Sequence, residues 1–227
     1  GASVLEPPQW VMTDNGAALQ RQTEANSKLT DKSARKVFDA GVELANRAVD
    51  EEEQKQDSGA LKRAEERFSL LIDGADGMEP LAPNFYGAYT NRGNVRVARK
   101  LFVGAAGDYA QAIRLAPLAP DRWVTELNLG QTLLALNRPT EALVELERSV
   151  ELSKGDRLAL LGRGAANHEL GRYAEASADY GAVLAKAPLD VQPFWVRYAL
   201  DLEAAGARQE AIGIARRVAA KFDIEVT

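Results

Sequence analysis

From Asp31 onward, apolar side chains recur at threes and fours. Val37, Ala40, Gly41, Leu44, Ala45 and Ala48 make one stripe, the spacing of a helix that buries one face. Ala64, Phe68 and Leu71 make a second, at i, i+4 and i+7. The polar stretch 54–59 separates them, and the acidic run 50–53 before it reads as a solvated helix end or loop. Asp73-Gly74 and Asp76-Gly77 predict turns, and Pro80 and Pro83 predict a linker. Residues 31–85 are therefore expected to form a degenerate helical hairpin and a connection. Upstream, residues 1–30 carry Pro7, Pro8 and Gly16 without a sustained period, which predicts an extended arm. Trp10, Val11 and Met12 are the arm's apolar cluster. It is expected either to lie on the chain's own helices or to anchor a partner.

From Tyr86 a longer period takes over. Stepping 34 residues carries Gly130 to Gly164, Leu136 to Leu170, Arg138 to Arg172, Glu141 to Glu175, Ala142 to Ala176 and Leu146 to Tyr180. The match is one of register, and such a period means stacked helical hairpins. Four units follow, at 86–119, 123–156, 157–190 and 192–225. Gly171, Gly206 and Asn137 stand where a first helix must end in a left-handed residue. Gly93, Gly130 and Gly164 in the first helix, with Ala105, Ala142 and Ala176 in the second, mark the places where two helices cross. Tyr109 and Tyr180 are expected to fill the space between hairpins. Pro117 and Pro188 are expected to stop the second helix.

These residues are those of the tetratricopeptide repeat, which the chain resembles over about three-fifths of its length. The resemblance implies an all-α fold, a right-handed superhelical solenoid of antiparallel helix hairpins, with a concave face that holds protein segments. The likeness is weakest where Glu126, Arg163 and Asn167 replace large apolar residues. Asn91-Arg92-Gly93-Asn94, then Asp108-Tyr109 and the Ala-Pro-Leu-Ala-Pro-Asp run at 116–121, resemble a subclass common in cyanobacteria and chloroplasts. Some of its members are assembly or accessory factors of thylakoid complexes. That likeness implies a thylakoid-associated place in the chloroplast and a photosynthetic role; without it a cytoplasmic protein is expected.

Composition narrows the chemistry. A net charge of −5 with a pI near 5.2, and no basic stripe, argue against nucleic acid or an anionic membrane as partner. The absence of cysteine excludes thiolate chemistry and disulfides, and one histidine leaves little for catalysis. No apolar run approaches the roughly 18 residues of a membrane span. Gly1 in place of methionine is the start expected of a chain whose leader has been processed off or whose end has been trimmed.

In such repeats the first helix lines the concave face at about its second, fifth, ninth and twelfth places. The resemblance thus implies a groove of Thr90, Asn91, Asn94 and Val97; Val124, Leu127, Asn128, Gln131 and Leu134; Leu158, Leu161, Ala165 and His168; and Val196, Leu200 and Glu203. Asparagines such as Asn94 and Asn128 suit paired hydrogen bonds to a peptide backbone. Members that clamp acidic chaperone tails need basic residues where this chain has Leu158 and Gly162, so an apolar or amphipathic protein segment is the expected partner. Leu161→Glu is then expected to abolish binding with helicity intact.

His168 has no second histidine and no carboxylate pair at metal-ligand spacing, so it reads as a solvated groove residue and no metal or cofactor is expected. Gly162-Arg163-Gly164 lacks the lysine of a phosphate loop. Asp201 and Glu203 read as solvated acids, and no nucleophile has a base and an orienting group. Near the C-terminus Ile212, Ala215, Val218, Ala219 and Phe222 form a stripe, covered either by the helix's own amphipathicity or by another chain. The sequence therefore reads as a non-catalytic adaptor that holds a protein segment in its groove. The alternative is a permanent subunit of a large complex, held through Trp10, Ile212, Val218 and Phe222.

Overall fold

The computed structural model describes residues 31–53, 59–185 and 192–221. Trp10, Pro188 and Phe222 lie outside them. The carboxylate of Asp31 opens the first helix, its Oδ1 accepting from the backbone N–H groups of Ser33 and Ala34 at 2.8 Å each. It thereby satisfies two donors that a helix start leaves free. This helix, α1 (Lys32–Glu53), runs through the acidic stretch and is followed by α2 (Ala60–Ile72). Phe38 and Phe68 meet with ring centroids 5.8 Å apart, and Phe38 meets Phe85 edge-on at 5.1 Å. Ala34, Ala64, Leu71, Ala88 and Val95 complete this core. Gly74 and Gly77 take the left-handed conformation at the expected turns.

The helices that follow are α3 (Tyr86–Ala98), α4 (Phe102–Leu115), α5 (Arg122–Ala135), α6 (Pro139–Leu152), α7 (Arg157–Glu169), α8 (Tyr173–Leu184), α9 (Gln192–Ala204) and α10 (Arg208–Lys221). The described residues contain no strand, only an isolated bridge from Ala75 to Met78. They fall into two compact units, one ending at Asn137 and the other beginning at Arg138. In the first, α1 packs on α2, α2 on α3, α3 on α4 and α4 on α5. In the second, α6 packs on α7, α7 on α8, α8 on α9 and α9 on α10. Within each unit every helix lies against its neighbours in sequence, the arrangement expected of stacked hairpins.

A left-handed residue follows the first helix of each of the four regular hairpins. Asn137, Gly171 and Gly206 have φ of 57°, 71° and 87°, as expected, and Lys100 joins them at 60°. One residue further on, the N–H groups of Leu101, Arg172 and Ala207 reach back five residues to the carbonyls of Arg96, Asn167 and Leu202. This closes the helix end as a Schellman turn. Lysine bears there a steric cost that glycine avoids. Lys100→Gly is therefore expected to raise stability by about 1 kcal/mol, measured by urea unfolding. An unchanged midpoint would contradict this reading of the turn.

Small residues bring paired helices together. A Cβ added at Gly93 would lie 2.6 Å from the Tyr109 ring, one at Gly164 2.8 Å from the Tyr180 ring, and one at Gly41 2.8 Å from Phe68. Each aromatic ring thus occupies the space that a glycine leaves. The space between hairpins, which the sequence assigned to the tyrosines, is only part of their setting. Tyr109 lies on Gly93 of its own hairpin, while Tyr180 also meets Phe194 of the next at 6.0 Å.

Polar substitutions in the first helices have partners. The Arg92 guanidinium grips Asp108 through Nε (3.0 Å) and Nη2 (2.8 Å), and its Nη1 donates to Ser69 (3.0 Å) and Asp73. Arg96 donates to Asp108 (2.8 Å) and Glu65 (2.9 Å), and Arg99 to Glu65. Burial raises the Glu65 carboxyl, but Arg96 and Arg99 outweigh it and hold the group below its usual range. This network ties the irregular first hairpin to the first regular one. In the second unit Arg163 repeats the grip on Asp179, at 2.9 and 2.6 Å. Both pairs stand 16 residues apart, at the same two places of their repeats.

Candidate partner-binding faces

In the first unit, α3 and α5 carry the expected groove, and the structure closes most of it. All ten residues from Val124 to Leu133 are buried. Val124 and Leu127, at 1% and 0% exposure, are core residues and not a groove floor. The helix is surrounded, so its register presents no open face there. Asn94 and Asn128 hold each other: Asn94 Oδ1 accepts from Asn128 Nδ2 (3.1 Å) and from the Tyr109 hydroxyl (2.7 Å). Asn91 donates to the Gly87 carbonyl in its own helix at 2.7 Å. These amides brace helices where a peptide backbone was expected. Gln131 is buried as well, and Leu134 is half-buried.

Asp121, just before α5, is 2% exposed. Burial is the main cause that lifts its carboxyl above the usual range, against a hydrogen bond from Tyr86. Tyr86 is pushed up to about 12, by burial first and then by the Asp121 charge. A folded-state value above the unfolded one gives stability that is fully present below the unfolded value and lost as pH rises through the folded one. Asp121→Asn is thus expected to unfold at higher urea than the parent at pH 7. The two midpoints should converge as the carboxyl protonates on acidification; a difference that does not change with pH would contradict this.

In the second unit the first helices of two consecutive repeats are α7 and α9. On α7, Leu161 is 1% exposed and Ala165 4%, so both belong to the core, while Leu158 and His168 are half-buried. Leu161→Glu would therefore disrupt packing before it tested any binding. On α9 the same places are open. Val196 is 52% exposed and Leu200 57%, and Glu203 is exposed one turn on. Spacings of four and three put these residues on one helix face. The opposite side of α9 is fully packed. Phe194, Trp195, Tyr198 and Leu202 are buried, Tyr198 donates to Glu210 at 3.2 Å, and Arg217 covers the Trp195 ring at 5.7 Å.

His168 joins α7 to α9, its Nδ1 lying 2.6 Å from Asp201 Oδ1. Asp201, read from the sequence as a solvated acid, is fully buried. Burial raises its carboxyl above the usual range, against His168 and Arg197, which lower it. Its partner His168 lies one repeat away on α7, a contact that no local pattern reports. The sequence also missed the two Arg–Asp grips, although arginine and aspartate recurring at the same places of two repeats were there to be read. On α10, Ala211 and Ile214 are buried and Ile212 and Val218 are half-buried. Of the expected stripe, Ala219 is also buried, whereas Ala215 is exposed. Among the described residues no group of three or more His, Asp or Glu side chains could hold a metal, and no helix is long and apolar enough to cross a membrane.

Comparison with known proteins places these hairpins. No protein-family model matches the chain. A human FK506-binding protein-like sequence is 38% identical in an alignment of 90 positions that covers 37% of this chain. The chain spans about a quarter of the length of that curated relative, 26%. Solved structures match far more of it. MamA superposes over 86% of this chain and 98% of its own, with a TM-score of 0.64 and 17% identity. YrrB, described as a TPR protein with an unusual peptide-binding site, covers 90% and 92% with a TM-score of 0.59 and 20% identity. PilF of Pseudomonas aeruginosa covers 92% and 93% with a TM-score of 0.62 and 16% identity. At such identities the shared property is the fold, a tetratricopeptide solenoid.

Proposed function

We infer from the tetratricopeptide fold of this chain that it is a non-catalytic scaffold for other proteins, and that α9 with its neighbour α7 carries a face that seats a partner segment. One observation carries this reading. Val196 and Leu200 are each more than half exposed on a helix whose other side is completely packed. Two large apolar groups one turn apart favour an apolar or amphipathic segment. Exposed Glu203, on the same face, favours a basic residue beside the apolar anchors. The peptide-binding site named for YrrB is a precedent for this use of the fold.

A thylakoid-associated assembly role in the chloroplast would be a narrower form of the same function. It rests on the Asn91-Arg92-Gly93-Asn94 likeness. Each of these residues also serves the fold internally. Asn91 bonds its own helix, Arg92 grips Asp108, Gly93 admits Tyr109, and Asn94 holds Asn128. Packing alone therefore accounts for the motif.

Panning a random peptide library on the purified chain tests the scaffold reading. The expected result is enrichment of peptides with two apolar anchors and a basic neighbour. Failure to enrich any peptide class, or enrichment of acidic ones, would overturn it.

A further inference from the structure

We propose that the outward side of α4 in one copy of this chain docks on the outward side of α6 in a second copy, so that the chain assembles with itself. α4 belongs to the first compact unit and α6 to the second, and each is the second helix of its hairpin. On both helices the residues at the same four places of the repeat form the outward line. On α4 they are Val103, Gly107, Ala110 and Arg114; on α6 they are Thr140, Val144, Glu147 and Glu151. Ala110 is half-buried and the others are exposed. Steps of four, three and four keep each group on one face of its helix.

Gly107 is the first sign that another chain belongs there. Glycine is a poor residue for a helix interior, and at Gly93 and Gly164 an aromatic ring packed on the glycine explains it. A Cβ added at Gly107 would have nothing within 4 Å, so no contact among the described residues requires a glycine. Its effect is a shallow notch on an exposed helix, one turn from Val103 at 76% exposure. Such a notch suits the close approach of a second chain. On α6 the same place holds Val144, a large apolar group 45% exposed on an otherwise polar line. One helix thus has the notch and the other the projection that fits it.

Charge selects the same pairing. The first repeat, 86–119, carries five basic side chains against one acid, and the second, 123–156, carries three against six. Repulsion disfavours α4 on α4 or α6 on α6, and attraction favours α4 on α6. The registers agree as well. With the two helices parallel and Val144 seated on Gly107, Arg114 comes opposite Glu151, because each lies seven residues further along its helix. Arg114 donates to Gln111 of its own helix at 3.0 Å, and neither it nor Glu151 has an ion-pair partner among the described residues. Glu147 already lies near the Arg163 charge, which leaves Glu151 as the acid for Arg114. Gly213 stands at the same place on α10 and is equally open, but α10 exposes no large apolar side chain among the described residues. The contact joins two unlike surfaces, so every copy offers one of each and copies add head to tail.

Sedimentation velocity of the whole chain over a range of concentrations reads the assembly. The parent is expected to associate, and to do so less as salt rises, because exposed charges are screened. Gly107→Gln fills the notch with a better helix former. It is expected to weaken association at least about tenfold, with a urea midpoint no lower than the parent's. Gly213→Gln should leave association unchanged. Arg114→Glu and Glu151→Arg should each weaken it about fivefold. Mixed in equal amounts, these two variants should associate more strongly than either alone, since the opposite charges then meet again across the two chains. A chain that stays monomeric up to about 1 mM, below the affinity of a specific interface, would overturn the proposal. So would association indifferent to Gly107→Gln, or a mixture no stronger than its components. Association lost on Leu200→Glu and kept on Gly107→Gln would place the contact on α9 and overturn it equally.

Discussion

Arg92→Ala is expected to remove about 3–5 kcal/mol of folding stability, the largest loss for a single polar side chain in this chain. Arg92 and Asp108 expose only 6% and 5% of their side chains, so water cannot take over the broken contacts to Asp108. The substitution deletes the two-pronged grip on Asp108 and the bonds to Ser69 and Asp73 together. Arg96 still reaches Asp108, which keeps the expected loss toward the lower end. Arg92→Lys should recover little, because an ammonium cannot make the paired, planar contact. Arg163→Ala provides the comparison. Its side chain is 31% exposed, and the expected loss is about 2 kcal/mol, as for hydrogen bonds to charged groups. Urea unfolding followed by circular dichroism measures all three. Equal losses at Arg92 and Arg163 would show that burial of the network does not matter.

Gly164→Val is expected to cost about 3 kcal/mol. A Cβ alone at this position would stand 2.8 Å from Tyr180 Cε1. Valine adds two methyl groups beyond it, and Tyr180 is fully buried with Phe194 6.0 Å away, so the ring has nowhere to retreat. The repeat itself names a rescue. Leu146 stands in the second repeat where Tyr180 stands in the third, and it too is fully buried. Gly164→Ala combined with Tyr180→Leu should therefore recover more than half of what Gly164→Ala loses alone. Absence of recovery would mean that the cost comes from the helix backbone and not from the ring.

These examples separate what can be read along the chain from what cannot. The turns were legible because a left-handed residue stands at the same place in every unit. Asn137, Gly171 and Gly206 announced it by type; Lys100, at φ 60°, did so only by its place. The crossing glycines and their aromatic partners were legible for the same reason. Residues on the candidate face were harder. Helix α5 is buried on every side, so no periodicity could mark an open face on it, and the concave register misassigned Val124, Leu127 and Leu161. The pairs Asn94–Asn128 and His168–Asp201 join residues 34 and 33 positions apart. Both depend on two hairpins lying side by side, and local spacing is silent about such contacts. The apolar pair Val196 and Leu200 emerged from the register, but only burial distinguished it from the other candidates.

The affinity of a library-selected peptide for Leu200→Glu, set against Leu118→Glu, tests the scaffold reading most directly. Leu118 is the more exposed of the two, at 94% against 57%, and it lies in the loop before α5, in the other compact unit. Both variants should keep parental helicity, since neither side chain is buried. Leu200→Glu is expected to weaken binding at least about tenfold, corresponding to about 1.4 kcal/mol, while Leu118→Glu leaves it unchanged. Equal affinities for both variants and the parent would contradict a partner face on α9.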